Sequence, residues 1–190
     1  MGKVVVSQFI TVDGVVEDPG GSEGFERGGW AFETNRGADG DKFKLDEVMA
    51  ADALLLGRRT YEGFAAAWPD RSDEMGFADK FNRMPKYVVS TTLTVPEPEW
   101  NNSHLVGDDL TGDVNWLKDT IEGDILVNGS VELSQALSAA GLVDELRLMV
   151  FPVVLGMGKR LFPDGSGKVP LKLADSKAVG DGVQILVYRP

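Results

Sequence analysis

The stretch Gly57-Arg58-Arg59-Thr60-Tyr61 follows the apolar run Ala53-Leu54-Leu55-Leu56 and opens a segment with helical spacing. A strand ending in glycine and basic residues at a helix start has the chemistry of a phosphate site. Glycine permits a tight turn, the helix N-terminus presents unpaired N–H groups and partial positive charge, and arginine adds a planar fork matched to phosphate oxygens. Two similar junctions follow. Tyr87-Val88-Val89 runs into Ser90-Thr91-Thr92, and Ile125-Leu126-Val127 runs into Asn128-Gly129-Ser130 ahead of another helical pattern. Three strand ends carrying small, hydroxyl or basic residues point to one extended anionic ligand. Each also has a plainer use, because hydroxyl residues cap turns and arginines at helix starts are commonly solvated.

Those junctions need a scaffold, and the rest of the chain supplies one. Its 190 residues, 43% hydrophobic and without linker composition, suit one domain over residues 1–190. A net charge of -11 argues against a general nucleic-acid or anionic-membrane surface, so any bound polyphosphate must be held by a local basic cluster. With no cysteine there is no disulfide, thiolate nucleophile or Cys-ligated metal, and His104 is the only histidine, read as a solvated loop residue. No metal site is expected. Asp108, Asp109 and Asp113 lack calcium-loop spacing. Val4-Val5-Val6 is interrupted at once by Ser7-Gln8, unlike a secretory leader, and a cytoplasmic protein is expected.

Strands are expected at Lys3–Ile10, Ala53–Leu56, Lys86–Ser90, Ile125–Val127, Glu145–Val154, Leu171–Ser176 and Val183–Tyr188, the last after an Asp181-Gly182 turn. Helices are expected at Asp41–Ala51, Thr60–Ala67, Ser72–Met84, Asp113–Ile121 and Ser130–Ala140, with Val95-Pro96-Glu97-Pro98 as a break. The glycine-rich, acidic segment Glu17–Gly40 reads as an ordered functional loop because Phe25, Trp30 and Phe32 punctuate it. The order predicts an α/β fold with a mixed, mostly parallel central sheet, antiparallel C-terminal strands and helices on both faces. Ligands of such sheets lie outside the carboxyl ends of the strands, where all three junctions fall.

The opening strand ending in Thr11-Val12-Asp13-Gly14, the run Leu56-Gly57-Arg58-Arg59-Thr60-Tyr61-Glu62, Val89-Ser90-Thr91, Val127-Asn128-Gly129-Ser130 and Pro152-Val153-Val154-Leu155-Gly156-Met157-Gly158 together resemble the dihydrofolate reductase superfamily. The closest likeness is to the C-terminal reductase domain of riboflavin biosynthesis, and it spans nearly the whole chain. The resemblance implies a three-layer reductase with NADPH laid across the strand ends. Gly57, Arg58, Arg59 and Thr60 would then meet the pyrophosphate or adenosine phosphate, and Ser90 and Thr91 the ribose and its 2′-phosphate. Asn128, Gly129, Ser130, Val131 and Glu132 would form the turn and helix start by the diphosphate, with Ser130 where dihydrofolate reductases carry a second glycine.

Hydride transfer belongs to the nicotinamide, so the protein's tasks are orientation, water exclusion and, where needed, a proton. By resemblance Asp41, at the start of the first helix, is the leading candidate for substrate binding or protonation as a partly buried acid, and Asp13 beside the nicotinamide is the second. Both have plainer readings, as a helix-start acid and a turn residue. Trp30, Phe32, Phe64 and Trp68 are candidate walls for a flat ring, though aromatics more often fill cores. Gly156-Met157-Gly158-Lys159-Arg160 lacks P-loop spacing and reads as a rim turn, with Lys159 and Arg160 as candidates for a substrate phosphate. The substrate implied is a pyrimidine or pteridine-like heterocycle, foremost the riboflavin-pathway aminouracil, 5-amino-6-(5-phosphoribosylamino)uracil. The alternatives are dihydrofolate reduction and a nucleotide-binding or ligand-sequestering protein without turnover. The deaminase that accompanies the reductase in bifunctional proteins is excluded by the missing Cys and His ligands. A homodimer is expected through a free C-terminal sheet edge.

Overall fold

The computed structural model describes residues 1–94 and 99–190. Eight strands form one sheet: β1 (Lys3–Thr11), β2 (Ala51–Gly57), β3 (Lys86–Val89), β4 (Ser103–Val106), β5 (Asp124–Asn128), β6 (Glu145–Phe151), β7 (Lys172–Val179) and β8 (Val183–Arg189). Their spatial order is β4-β3-β2-β5-β1-β6-β8-β7. The first six are mutually parallel, and β8 runs antiparallel to both its neighbours.

Helices α1 (Gly37–Ala50), α2 (Arg58–Ala67), α3 (Phe77–Arg83), α4 (Leu110–Thr120) and α5 (Val131–Ala139) cover the two faces. The period-2 geometry of a strand divides β1 between them. Val4 and Val6 pack with Val114 and Leu117 of α4 and Leu133 and Leu137 of α5, whereas Val5 packs with Val48 of α1, Tyr61 of α2 and Phe81 of α3. The central strands are apolar on both faces because both faces are covered, and Leu54, Leu55 and Leu56 of β2 are fully buried. A third cluster, built on Trp30, Met149, Phe151, Val183 and Ile185, seats the long loop after β1 against β6 and β8.

The elements differ from the sequence reading at several points. Helix α1 starts at Gly37, four residues before Asp41, and α3 starts at Phe77, where Asp73 accepts the Phe77 and Ala78 amides, and not at Ser72. The edge strand β4 escaped sequence reading, and His104 belongs to it and not to a loop. Its four residues carry no apolar alternation and follow Asn101-Asn102, so only pairing with β3 makes it a strand. The expected break at Val95–Pro98 lies outside the described residues.

Lys86 of β3 is completely buried, which the sequence did not suggest. Its Nζ donates to the carbonyls of Asn82, Met84 and Asn101 at 2.6, 2.8 and 2.9 Å and lies 4.3 Å from the centre of the Trp100 ring. Burial pulls its pKa from 10.5 down to about 8. The native state therefore releases this proton near pH 8, while the unfolded chain holds it until about 10.4. The unfolded state binds more protons in that window, so the wild type should gain stability relative to Lys86→Met as pH rises from 8 to 10.5, on the order of 1–3 kcal/mol. Urea unfolding of both proteins across that range checks it, and a pH-independent difference would refute it.

Candidate functional site

Because β1, β2, β3 and β5 are parallel, Thr11, Gly57, Val89 and Asn128 end at one rim. The chain-order reversal between β2, β5 and β1 lies in the middle of that rim, where an α/β sheet opens a crevice. Helices α2 and α5 begin directly after β2 and β5, so both present their N-terminal N–H groups there.

Ser130 locks the two helix starts together. Its Oγ accepts the Gly57 amide at 2.7 Å and donates to Thr60 Oγ1 at 2.7 Å. It does so from the left-handed region, at φ 58°, right after Gly129 at φ 86°. A non-glycine residue there is strained and persists only where its surroundings hold it. The two hydrogen bonds do so, and Gln8 of β1 adds a third tie by donating to the Gly129 carbonyl at 3.2 Å and to Ser134 Oγ at 2.9 Å. A Cβ on Gly57 would come within 2.7 Å of Ser130 Oγ, so a glycine is required for the closeness of this junction.

The basic residues occupy two ends of the rim. Arg58 pairs with Glu62 at 2.7 Å and donates to Thr92 Oγ1 at 2.9 Å, while Ser90 Oγ accepts the amides of Thr92 and Leu93 at 3.2 and 3.1 Å. The structure thus brings Arg58 to the turn after β3, where Ser90 closes the turn and Thr91 is exposed. Arg59 is exposed and bears electrostatically on Glu132 and Glu23. Lys159 pairs with Glu132 at 3.0 Å, which holds the Glu132 carboxyl below its ordinary range. Glu23 is pushed the other way, by burial first and then by its neighbours Asp18 and Glu17. The exposed Arg160 contributes its carbonyl to Gln135 and a bridge to Val15. The 156–160 turn therefore does lie at the rim, beside the start of α5.

The two candidate acids take other positions. The Asp13 carboxylate accepts bonds from Thr11 Oγ1 at 2.6 Å, Gly156 N at 2.7 Å and Leu155 N at 3.2 Å. Burial opposes ionisation, but these bonds outweigh it and keep the pKa below the usual aspartate value. Asp13 is thereby a clamp between the β1 loop and the 152–158 loop. Asp41, with α1 starting earlier, falls in the second helical turn; its side chain is 65% exposed and ion-paired with Arg36 at 2.6 Å. It is not the partly buried acid expected at a helix start. The candidate aromatic walls are distributed between core and surface. Trp30 is buried, donates to the Glu17 carbonyl and packs edge-on against Phe151, and Phe64 and Trp68 join the core around Phe81, which leaves Phe32 exposed.

The sequence reading missed a polar cluster beneath α1. Lys44 Nζ donates to Glu47 at 2.5 Å, Ser7 Oγ at 2.9 Å and Asn128 Oδ1 at 3.2 Å. Glu47, with its side chain 2% exposed, also accepts from Ser7 and faces Arg147 at 3.6 Å. Arg147 continues to Asp124 and Glu145. Ser7-Gln8 inside a valine strand and a Lys–Glu pair at helical spacing were the available signals; only the fold shows that they meet. Among the described residues, no group of three or more His, Asp or Glu side chains is arranged to hold a metal ion, and no helix is long and apolar enough to cross a membrane.

Known proteins resemble this chain in sequence and in fold. The uncharacterized protein YyaP of Bacillus subtilis (strain 168) is 29% identical over 189 residues, covering 98% of this chain and 94% of that protein. A solved structure from Shewanella sp. PV-4, named for riboflavin biosynthesis, superposes with a TM-score of 0.77 at 21% identity over 98% of both chains. A pyrimidine reductase-like protein from Corynebacterium diphtheriae gives 0.66 at 15% identity over 98% of this chain and 91% of its own. These likenesses support the three-layer fold built from the strand order. Residues 2–185, which carry the clasped helix starts and the whole parallel sheet, match the RibD C-terminal domain, and the chain belongs to that family.

Proposed function

We propose that the protein is an NADPH-dependent reductase of a pyrimidine or pteridine-like heterocycle, with the phosphoribosylated aminouracil of riboflavin biosynthesis as its favoured substrate. The observation that carries this reading is the Ser130 clasp: a strained turn held by three neighbouring elements, aiming two helix N-termini at one rim with Arg58 and Arg59 beside them. Positive helix ends and an approachable glycine turn fit a diphosphate in an otherwise acidic protein. The starts of α2 and α5, with Gly57, Arg59, Thr60 and Gly129 to Glu132, would hold it, and Arg58 with Ser90, Thr91 and Thr92 would take the adenosine phosphate. NADPH, when bound, supplies the hydride. Asp13 keeps the two loops at the substrate end in register, and Lys159 and Arg160 lie on the side where a substrate phosphate would enter. The reading includes a cytoplasmic homodimer joined through the free edge of β7, which is exposed along its length except at Val179.

Fluorescence titration with NADPH and NADH tests the cofactor, and complementation of a strain lacking the riboflavin reductase tests the substrate. Failure to complement with folded, cofactor-binding protein would remove that substrate. A sequestering role is the second reading, favoured by Asp13, whose hydrogen bonds hold its carboxyl below the usual aspartate range, and by Asp41, which is exposed and ion-paired with Arg36. Under the cofactor reading, the start of α5 meets the diphosphate through its backbone N–H groups, while the exposed Glu132 carboxylate sets a negative charge beside it. Glu132→Gln should therefore tighten NADPH about two- to fivefold, less than one full charge-assisted bond because the side chain is exposed; weaker binding would show that the Glu132 side chain itself holds the cofactor.

A further inference from the structure

We infer that two copies of the chain join their sheets through β7 in one register, with Ser176 of each copy opposite Ser176 of the other; the inference rests on the homodimer reading above. β7 is a bare strand. Every residue from Phe162 to Ala178 is exposed, so that within β7 both faces of the sheet lie open as far as Val179. Val169, Leu171 and Leu173 recur at every second position, an exposed apolar row that the described molecule leaves uncovered. The opposite sheet edge differs. β4 has only four residues, and three of them are half-buried.

Charge selects both the partner and the register. Lysine on an edge strand ordinarily repels further strands, so a strand that joins β7 must answer Lys177 with an anion and Asp175 with a cation. A second copy of β7 does both. In an antiparallel pair related by a two-fold axis, one residue stands opposite its own copy, and residues equally far to either side pair with each other. The bulge between Leu173 and Asp175 leaves Asp175 to Val179 as the regular stretch. Centring the axis on Asp175 sets carboxylate against carboxylate, centring on Lys177 sets ammonium against ammonium, and centring on Ala178 leaves both charges without an opposite. Centring on Ser176 sets Asp175 of each copy opposite Lys177 of the other, twice. Two side chains must turn for this. Asp175 Oδ1 accepts the Ser176 amide at 2.8 Å, and Lys177 pairs with Asp39 at 2.7 Å. Both contacts are exposed, so exchanging them for pairs across the axis costs little, and the Ser176 amide is freed for a carbonyl of the second copy.

Light scattering after size exclusion, combined with single thiols, tests the register on the full chain. The chain has no cysteine, so Ser176→Cys carries the only one. In this register the two copies of that residue have Cα atoms about 4.5–5.5 Å apart, within disulfide reach, and mild oxidation should link the dimer. Lys172→Cys stands opposite Gly180 of the second copy and should stay unlinked. Asp175→Lys sets lysine against lysine twice and should raise the dimer dissociation constant at least about tenfold. Adding Lys177→Asp rebuilds both pairs with the signs exchanged and should restore the dimer. An equal loss in the single and double variants, or a link through Lys172→Cys with none through Ser176→Cys, would overturn the inference and leave a dimer joined elsewhere. A wild type that stays monomeric across the concentration range overturns the homodimer reading and this inference with it, a failure visible before any variant is made.

Discussion

Glu47→Ala is expected to cost about 3–5 kcal/mol of folding stability, because it strips a buried ion network of a carboxylate and leaves the Lys44 ammonium without an anionic partner among the described residues. Glu47 links Lys44, Ser7 and Arg147 on three elements, α1, β1 and β6. Its loss leaves the mostly buried Lys44 with two neutral acceptors and removes one of the anions around Arg147, whose own pKa is held up against burial by Glu145, Glu47 and Asp124. Domains of this size typically have about 5–15 kcal/mol in total. Thermal unfolding should therefore shift down by roughly 10 °C or more. Glu47→Gln keeps an oxygen for Ser7 and Lys44 while removing the charge, and should fall between the two. Urea unfolding of the three proteins at pH 7 checks the order. A loss under about 1 kcal/mol in the alanine variant would mean that water or a rearranged Asp124 replaces the carboxylate, and the network would not be structural.

The second large effect is expected at the opposite side of the rim. Arg58→Ala combined with Arg59→Ala should weaken NADPH at least about 30-fold, roughly 2 kcal/mol, the scale of one to two charge-assisted bonds to phosphate. The contributions differ. Arg58 already holds Glu62 and Thr92, so a phosphate gains only the exchange of partners, whereas Arg59 is exposed and available. Because the net charge is -11, removing the local cations leaves only repulsion, and wild-type affinity should fall with added salt more steeply than that of the variant. Stability should stay within about 0.5 kcal/mol, since both side chains are exposed. If Arg58 meets the 2′-phosphate, Arg58→Ala alone will narrow the gap between NADPH and NADH. Unchanged affinity for both nucleotides in the double variant would remove this rim as the phosphate site.

What the sequence determined by itself was the frame and the rim. Runs such as Val4-Val5-Val6 and Leu54-Leu55-Leu56 bury on both faces, so they announce central parallel strands regardless of partner, and glycine or hydroxyl residues after them mark the ends where helices begin. The junctions at Gly57, Ser90 and Gly129 were legible for that reason, as local statements about turns and caps. The tertiary structure decided everything that depends on pairing across the chain. β4 is a strand only because β3 lies beside it, and Asp41 is exposed because α1 begins at Gly37 and turns that position toward Arg36. Trp30 is buried because β6 offers Phe151. The Ser130 strain and the Lys44–Glu47–Ser7–Asn128 cluster join residues up to 121 positions apart in sequence. Periodicity carries the identity of a residue's own face, but hydrogen bonding and burial are properties of the neighbours that folding brings to it, and those set which of these polar groups are tied down and which stay exposed at the rim.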